Sequence, residues 1–305
     1  MGKYSALNIT GALAAVLWAQ GGAAQAADPI IYSPEPVSSG GYDFTAPAVS
    51  APNGKIELYG GMVNPGGPGF RAAGSLSLPV TDQFGVQFDA GVVGSSAGPI
   101  FGGAVHAFTR DPDNYLLGLT GAVARGPTGT IGVIGVEGEL YLDRLSLEAW
   151  AGVGGIDYDV LPDVTGIFIF ADAGYYVTDD FRLTAGFSHL IGENSLHLGS
   201  EYLMRDFTQM PISLTTDLRV SHSGAYSVMA GIKGYFGGDD PGKSLIDRHR
   251  QDDPPNRALS IVSAATSLLT QVPEEEEPED PEAACLEMGP YYYWDGDECI
   301  DTEVL

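Results

Sequence analysis

Polar and apolar residues alternate strictly over much of the chain, the period of a strand with two unlike faces. In Arg144 to Val153, Leu145, Leu147, Ala149, Ala151 and Val153 fall on one side, opposite Ser146, Glu148, Trp150 and Gly152. Ile212 to Ser221, Phe84 to Val92 and Tyr226 to Phe236 repeat the pattern. Turn signals recur between such runs: Val80-Thr81-Asp82-Gln83-Phe84, Val177-Thr178-Asp179-Asp180-Phe181 and Tyr141-Leu142-Asp143-Arg144-Leu145. Asp in a tight turn bonds its own backbone, and flanking aromatics suit a membrane interface. These are expected to be short periplasmic turns.

The segmentation gives twelve strands, at 55–63, 70–80, 84–94, 101–110, 114–125, 129–142, 144–155, 166–178, 181–191, 195–205, 211–221 and 225–236, with ten or fourteen as alternatives. Residues 55–236 shared among twelve leave about 15 for each strand and its link, and a tilted membrane strand needs roughly 9–11. The fold class expected is all-β, a transmembrane antiparallel β-barrel; a soluble β-sandwich is the competing fold. Composition favours the barrel. The charged fraction is 18%, with 42 Gly, 15 Tyr and 12 Phe, whereas a water-soluble domain usually carries about 25% charged residues.

The chain divides into four zones. Residues 1–26 read as a secretory signal: Lys3, an apolar stretch near Ile9 to Ala19, then Ala24-Gln25-Ala26. Residues 27–54 are an extended leader, 55–236 the barrel and 237–305 an acidic tail. An exported N-terminus and an even strand count place both termini in the periplasm of a Gram-negative-type envelope. In the tail, Arg257 to Val272 carries Ala258, Leu259, Ile261, Val262, Ala265, Leu268 and Leu269, spaced for one face of a short helix that docks under the barrel mouth or is marginal alone. Pro273 to Pro278 reads as a charged spacer. Cys285 and Cys299 are the chain's two cysteines; in an exported protein they are expected to pair and staple a small hairpin around Tyr291-Tyr292-Tyr293-Trp294.

The segment Tyr226 to Phe236 resembles the closing strand of bacterial outer-membrane proteins, through Gly231, Ile232, Gly234 and Phe236. The resemblance implies recognition by the barrel assembly machinery. Lys243 to Pro254 resembles a segment that follows the barrel in some alphaproteobacterial outer-membrane proteins of undefined function. The resemblance brings no catalytic residues.

The strand register assigns Lys55, Glu57, Arg71, Asp89, Glu137, Glu139, Glu148, Asp172, Arg182, Glu201, Asp217, Arg219 and Lys233 to the lumen, eight acids and five bases. They would line a narrow, weakly cation-preferring pore or form a salt-bridge network that fills it. Ser188-His189 and Asn194-Ser195 bear a faint likeness to the His-x-Ser-Asn run of barrel lipid A deacylases, but the spacing differs; His197 with Glu201 and His222 with Ser223 are no better. Asp295-Gly296-Asp297-Glu298 lacks the order of a Ca²⁺ loop. No cofactor or metal is expected. A net charge of −26 with only 14 Lys+Arg argues against nucleic acid.

Three functions remain: porin-like passage of small polar solutes or a structural barrel; an envelope interaction protein whose acidic, aromatic tail meets a partner; and a barrel lipid hydrolase. Membrane lipid, the assembly machinery and a periplasmic or envelope partner of the tail are the expected partners.

Overall fold

The alternating runs form twelve strands in the computed structural model, which describes residues 46–64, 66–205, 210–252, 254–270, 281–289, 291–296 and 299–301. They are β1 (Asn53–Asn64), β2 (Gly67–Pro79), β3 (Phe84–Ser95), β4 (Gly98–Asp111), β5 (Tyr115–Arg125) and β6 (Gly129–Leu142). The second half comprises β7 (Leu145–Tyr158), β8 (Val164–Thr178), β9 (Phe181–Leu190), β10 (Glu193–Met204), β11 (Ile212–Ser221) and β12 (Tyr226–Gly237). Each pairs antiparallel with its sequence neighbours, and β1 pairs with β12 from Asn53↔Gly237 to Asn64↔Tyr226, which closes the barrel. Closure pairs the backbone groups that an open sheet edge would leave in lipid. The outer wall is apolar: Leu58, Phe88, Leu119, Val136, Leu198, Leu218 and Ile232 are all exposed there.

The end where Asn53 meets Gly237 is here the near end. It carries the turns read from the sequence at 80–83, 143–144 and 179–180. The far end is joined by links of only two to five residues. One of them, Ile191-Gly192, has positive φ at both positions, 48° and 94°, as a two-residue turn matching the sheet twist requires. A β-branched residue is strained there. Burial of the Ile191 side chain in an apolar cluster at the far end offsets the strain.

The leader is not wholly separate. Val49 packs with Phe108, Leu116 and Tyr141 at the near end, and the Ala48 N–H donates to the Asp82 carbonyl at 2.8 Å. The signal segment and the leader up to residue 45 lie outside the described residues, as does the spacer at 273–278.

The tail departs most from expectation. The run expected as one short helix, docked under the mouth or marginal alone, is two short helices, α2 (Arg257–Ala264) and α3 (Thr266–Thr270), preceded by α1 (Leu245–Gln251). All three lie in or across the barrel. From Gly238, whose N–H donates to the Pro52 carbonyl at 3.0 Å, the chain crosses the near mouth as α1. It then packs α2 against β3, β4 and β5. It reaches the far end where the Thr128 N–H donates to the Leu269 carbonyl at 3.3 Å. A second small unit comprises α4 (Pro281–Glu287) and the hairpin of β13 (Tyr292–Trp294) with β14 (Cys299–Asp301), joined by the Cys285–Cys299 disulfide.

A charge on the outer wall should be costly. Leu198→Arg, at the middle of β10, is expected to lose roughly 2–4 kcal/mol of stability, the cost of a cation near the bilayer midplane. Urea titration of the refolded barrel measures it; an unchanged midpoint would remove Leu198 from the lipid face.

Candidate functional site: the occupied lumen

The inner wall has two zones. Toward the far end, Val93, Ile100, Ala104, Ala122, Ala124, Ile131, Val133, Ile156, Phe168, Phe170 and Leu190 make it apolar. The apolar stripe of the tail, Ala258, Ile261, Val262, Ala265 and Leu269, is fully buried against it. Each fully buried Ile, Val or Leu contributes roughly 1.5–3 kcal/mol. An eight-residue helix is unstable alone in water, so packing on this wall makes α2 a helix. Glycines let it approach: a Cβ on Gly102 would lie 2.5 Å from Val262 Cγ1, and one on Gly126 would lie 2.6 Å from Leu269 Cβ.

The start of α2 is tied by charge. Asn256 caps the helix, its Oδ1 accepting from the Leu259 N–H at 2.7 Å, and its Nδ2 donates to the Gly74 carbonyl at 2.9 Å. The Arg257 N–H donates to Asp89 Oδ2 at 2.7 Å, and its guanidinium Nε donates to Glu137 Oε2 at 3.1 Å. His106 spans the same two carboxylates, with Nε2 2.7 Å from Asp89 Oδ2 and Nδ1 2.9 Å from Glu137 Oε1. The Arg257 guanidinium lies 5.6 Å from the ring centre of Trp150, which stacks on Phe170. Just upstream, the Pro254 carbonyl accepts from Lys55 Nζ at 2.8 Å and from Gln87 Nε2 at 3.2 Å.

At the near mouth α1 begins on Ser244 and is pinned to a strand turn. The Leu245 N–H donates to Asp180 Oδ1 at 3.2 Å, and the Ile246 N–H to the Asp179 carbonyl at 3.1 Å. Arg250 Nη2 donates to the Asp143 carbonyl at 2.8 Å and the guanidinium lies over Tyr141. The Tyr176 hydroxyl is 2.9 Å from His249 Nδ1 and the Tyr235 hydroxyl 3.2 Å from Nε2. Burial pushes the His249 pKa well below its ordinary value; Arg182, Lys233 and Lys55 act the same way, against Glu201. The ring is therefore neutral with one N–H: the Tyr176 hydroxyl donates to Nδ1, and Nε2–H donates to the Tyr235 oxygen, whose own proton goes to Glu201 Oε1.

The thirteen residues assigned to the lumen from sequence all project from the inner wall, several of them in pairs of opposite charge. Lys233 Nζ is 2.8 Å from Glu201 Oε2 and 3.5 Å from Glu57 Oε2. Arg71 pairs with Asp217 and Arg182 with Glu148. Arg219 donates to Ser188 Oγ at 3.1 Å, and Asp172 Oδ1 lies 2.7 Å from His197 Nε2. Glu139 accepts from the Tyr141 hydroxyl at 3.1 Å. Lys55, Asp89 and Glu137 bind the tail instead. Between Leu259, Ser260 and Ser263 of α2 and this charged wall is a cavity of about 210 Å³, which reaches from Tyr141 and Tyr176 toward Arg219. That is room for on the order of ten waters.

His106, Trp150, Asn256, Arg257 and His249 were not singled out from sequence as site residues; their roles depend on strand register and on the tail's path. The faint hydrolase likeness dissolves in the structure. Ser188 faces the lumen, whereas His189 is the next residue of the strand, faces the other way and contacts Asn194 Oδ1 at 2.9 Å. Among the described residues there is no cluster of three or more metal-ligating side chains. Asp297 and Glu298 lie outside the described residues.

Both anchors of the tail can be tested. Arg257→Met strips a buried carboxylate of one partner, a loss of about 3 kcal/mol for such pairs, and is expected to lower the opening free energy of α2 by that amount in hydrogen exchange. A folded-state His pKa below the unfolded one gives stability that is present above about pH 6.5 and lost as the pH falls below it. Amide protection of α1, corrected for intrinsic rates, should therefore drop between pH 7 and 5, and His249→Gln should remove that dependence. Equal pH profiles for the two proteins would contradict the neutral ring.

No protein-family model matches the chain, and no curated protein matches it. Among solved structures it is similar to the KdgM porin, at 11% identity over 60% of this chain and 99% of that one, TM-score 0.44. It is similar to the NanC porin, at 9% identity over 60% and 100%, TM-score 0.43. It is also similar to OmpT, an outer membrane protein of Vibrio cholerae, at 11% identity over 61% and 97%, TM-score 0.35.

Proposed function

We propose that this chain is a porin-like barrel of the outer membrane whose lumen is held closed by its own tail. The closed barrel, its apolar belt and the expected export signal support the location, with lipid against the belt. The observation that carries the closed state is the fully buried stripe of Ala258, Ile261, Val262, Ala265 and Leu269 on the apolar wall. With far-end links of two to five residues, the barrel has no long loop to narrow its mouth, and the tail fills that role from inside.

Movement of α2 and α3 off the wall would open a lumen lined by Lys55, Glu57, Arg71, Asp89, Glu137, Glu139, Glu148, Asp172, Arg182, Glu201, Asp217, Arg219 and Lys233. The excess of acids favours small cations and polar solutes. At the closing strand, Ile232, Gly234 and Phe236 face outward and Gly231 inward beside Tyr59. This leaves a one-sided apolar edge for the assembly machinery to read as β12 meets β1.

In planar bilayers the full chain should show small, rare openings. The double variant Ile261→Asp, Val262→Asp buries two charges on the apolar wall, so α2 should leave and a larger, cation-selective conductance appear. Heat-modifiable migration in gels confirms that the variant barrel is intact. Equal conductance in both proteins would sink the closed-barrel reading.

A further inference from the structure

The tail enters the lumen at one end and emerges at the other. Asn53 and Gly237, the ends of the barrel sheet, pair at the near end. Gly238 and α1 start there, on Pro52, Asp143, Asp179 and Asp180. Asn256 sits at mid-barrel on Gly74 and Ser75. Leu269 meets Gly126 and Thr128, in the link between β5 and β6 at the far end. Residues 238–270 thus span the barrel from mouth to mouth.

The chain beyond α3 cannot readily turn back. Residues 271–280, Gln-Val-Pro-Glu-Glu-Glu-Glu-Pro-Glu-Asp, hold six acids and two prolines. A return through the lumen would have to share space already filled by α1, α2 and α3, beside a cavity with room only for waters. A return outside the barrel would drag those carboxylates past the apolar belt, through hydrocarbon that strongly disfavours them. The unit of α4, β13 and β14 then lies on the far side. Short far-end links leave little to cover it.

We propose that the barrel acts as a conduit and anchor for its own C-terminal unit, presenting the disulfide-linked 281–301 segment on the face opposite the barrel's termini. Resting on the outer-membrane reading above, with the near end periplasmic, that face is the cell exterior. This replaces the periplasmic tail expected from an even strand count alone. The count fixes where the barrel ends, but the chain continues through it. An interaction role for the aromatic tail would then be directed outward.

The test uses the full chain in cells with a single inserted protease site, at one of three places: in the 273–278 spacer, in the far-end link 159–163, or in the near-end link 112–114. Heat-modifiability of each variant confirms that the barrel has formed. Protease added to intact cells should cut the spacer and 159–163 sites nearly completely and spare the 112–114 site until the cells are permeabilised. A spacer site that behaves like 112–114, protected in intact cells and cut after permeabilisation, would overturn the threading. Cleavage of 112–114 in intact cells, with the other two sites protected, would overturn the outward presentation by reversing the barrel, while the spacer's agreement with 159–163 would uphold the threading.

Discussion

An apolar wall inside a membrane barrel has to be covered, and the rest of this structure depends on that constraint. Lipid covers the outer face, but nothing apolar is available in a water-filled lumen. Ile131, Val133, Phe168, Phe170 and their neighbours would face water there. The amphipathic α2 has the converse need: eight residues with one apolar stripe and no reason to be helical alone. Each surface supplies what the other lacks. The barrel's interior is thereby a packed core toward the far end and a charged, partly hydrated chamber toward the near end.

Electrostatics then fixes where the tail sits. A stripe of Ala, Ile, Val and Leu can slide along an apolar wall with small penalties. Arg257 cannot, because Asp89 and Glu137 bind its backbone and side chain from two strands and His106 locks those carboxylates together. Breaking such a buried set leaves charge without a partner, which costs more than the set itself contributes. The network therefore sets register. At the near mouth the neutral His249, between two phenols, and Arg250 on the Asp143 carbonyl hold α1 across the opening.

Much of the wall is legible in the sequence. Period-two alternation gives twelve strands with most boundaries within about three residues of those observed; 129–142 coincides with β6. The charged lumen positions are legible for the same reason, since a one-residue slip would turn all of them into lipid. The occupied lumen does not emerge from alternation alone, although a signal for it exists. Ile167-Phe168-Ile169-Phe170 is apolar at four consecutive positions, so both faces of β8 are apolar there and the inner one cannot be wet. Taken with the apolar stripe at 258–269, this pairs two surfaces that each need cover. The roles of His106 and Asn256 are out of reach, because their partners come together only through strand register and the tail's path. The even strand count locates Gly237 and leaves open the side on which the chain continues after residue 270.

A disulfide between introduced cysteines tests most directly whether the tail reaches the far end through the lumen. Gly126 and Leu269 are suited, because a Cβ on Gly126 would lie 2.6 Å from that of Leu269, and a small adjustment brings the pair to the mean disulfide spacing of about 3.8 Å. With Cys285 and Cys299 replaced by Ser, the Gly126→Cys, Leu269→Cys protein should form this bond during assembly in cells. Mass spectrometry would then find the two peptides joined. Two free thiols in a correctly assembled, heat-modifiable barrel would contradict the threaded tail.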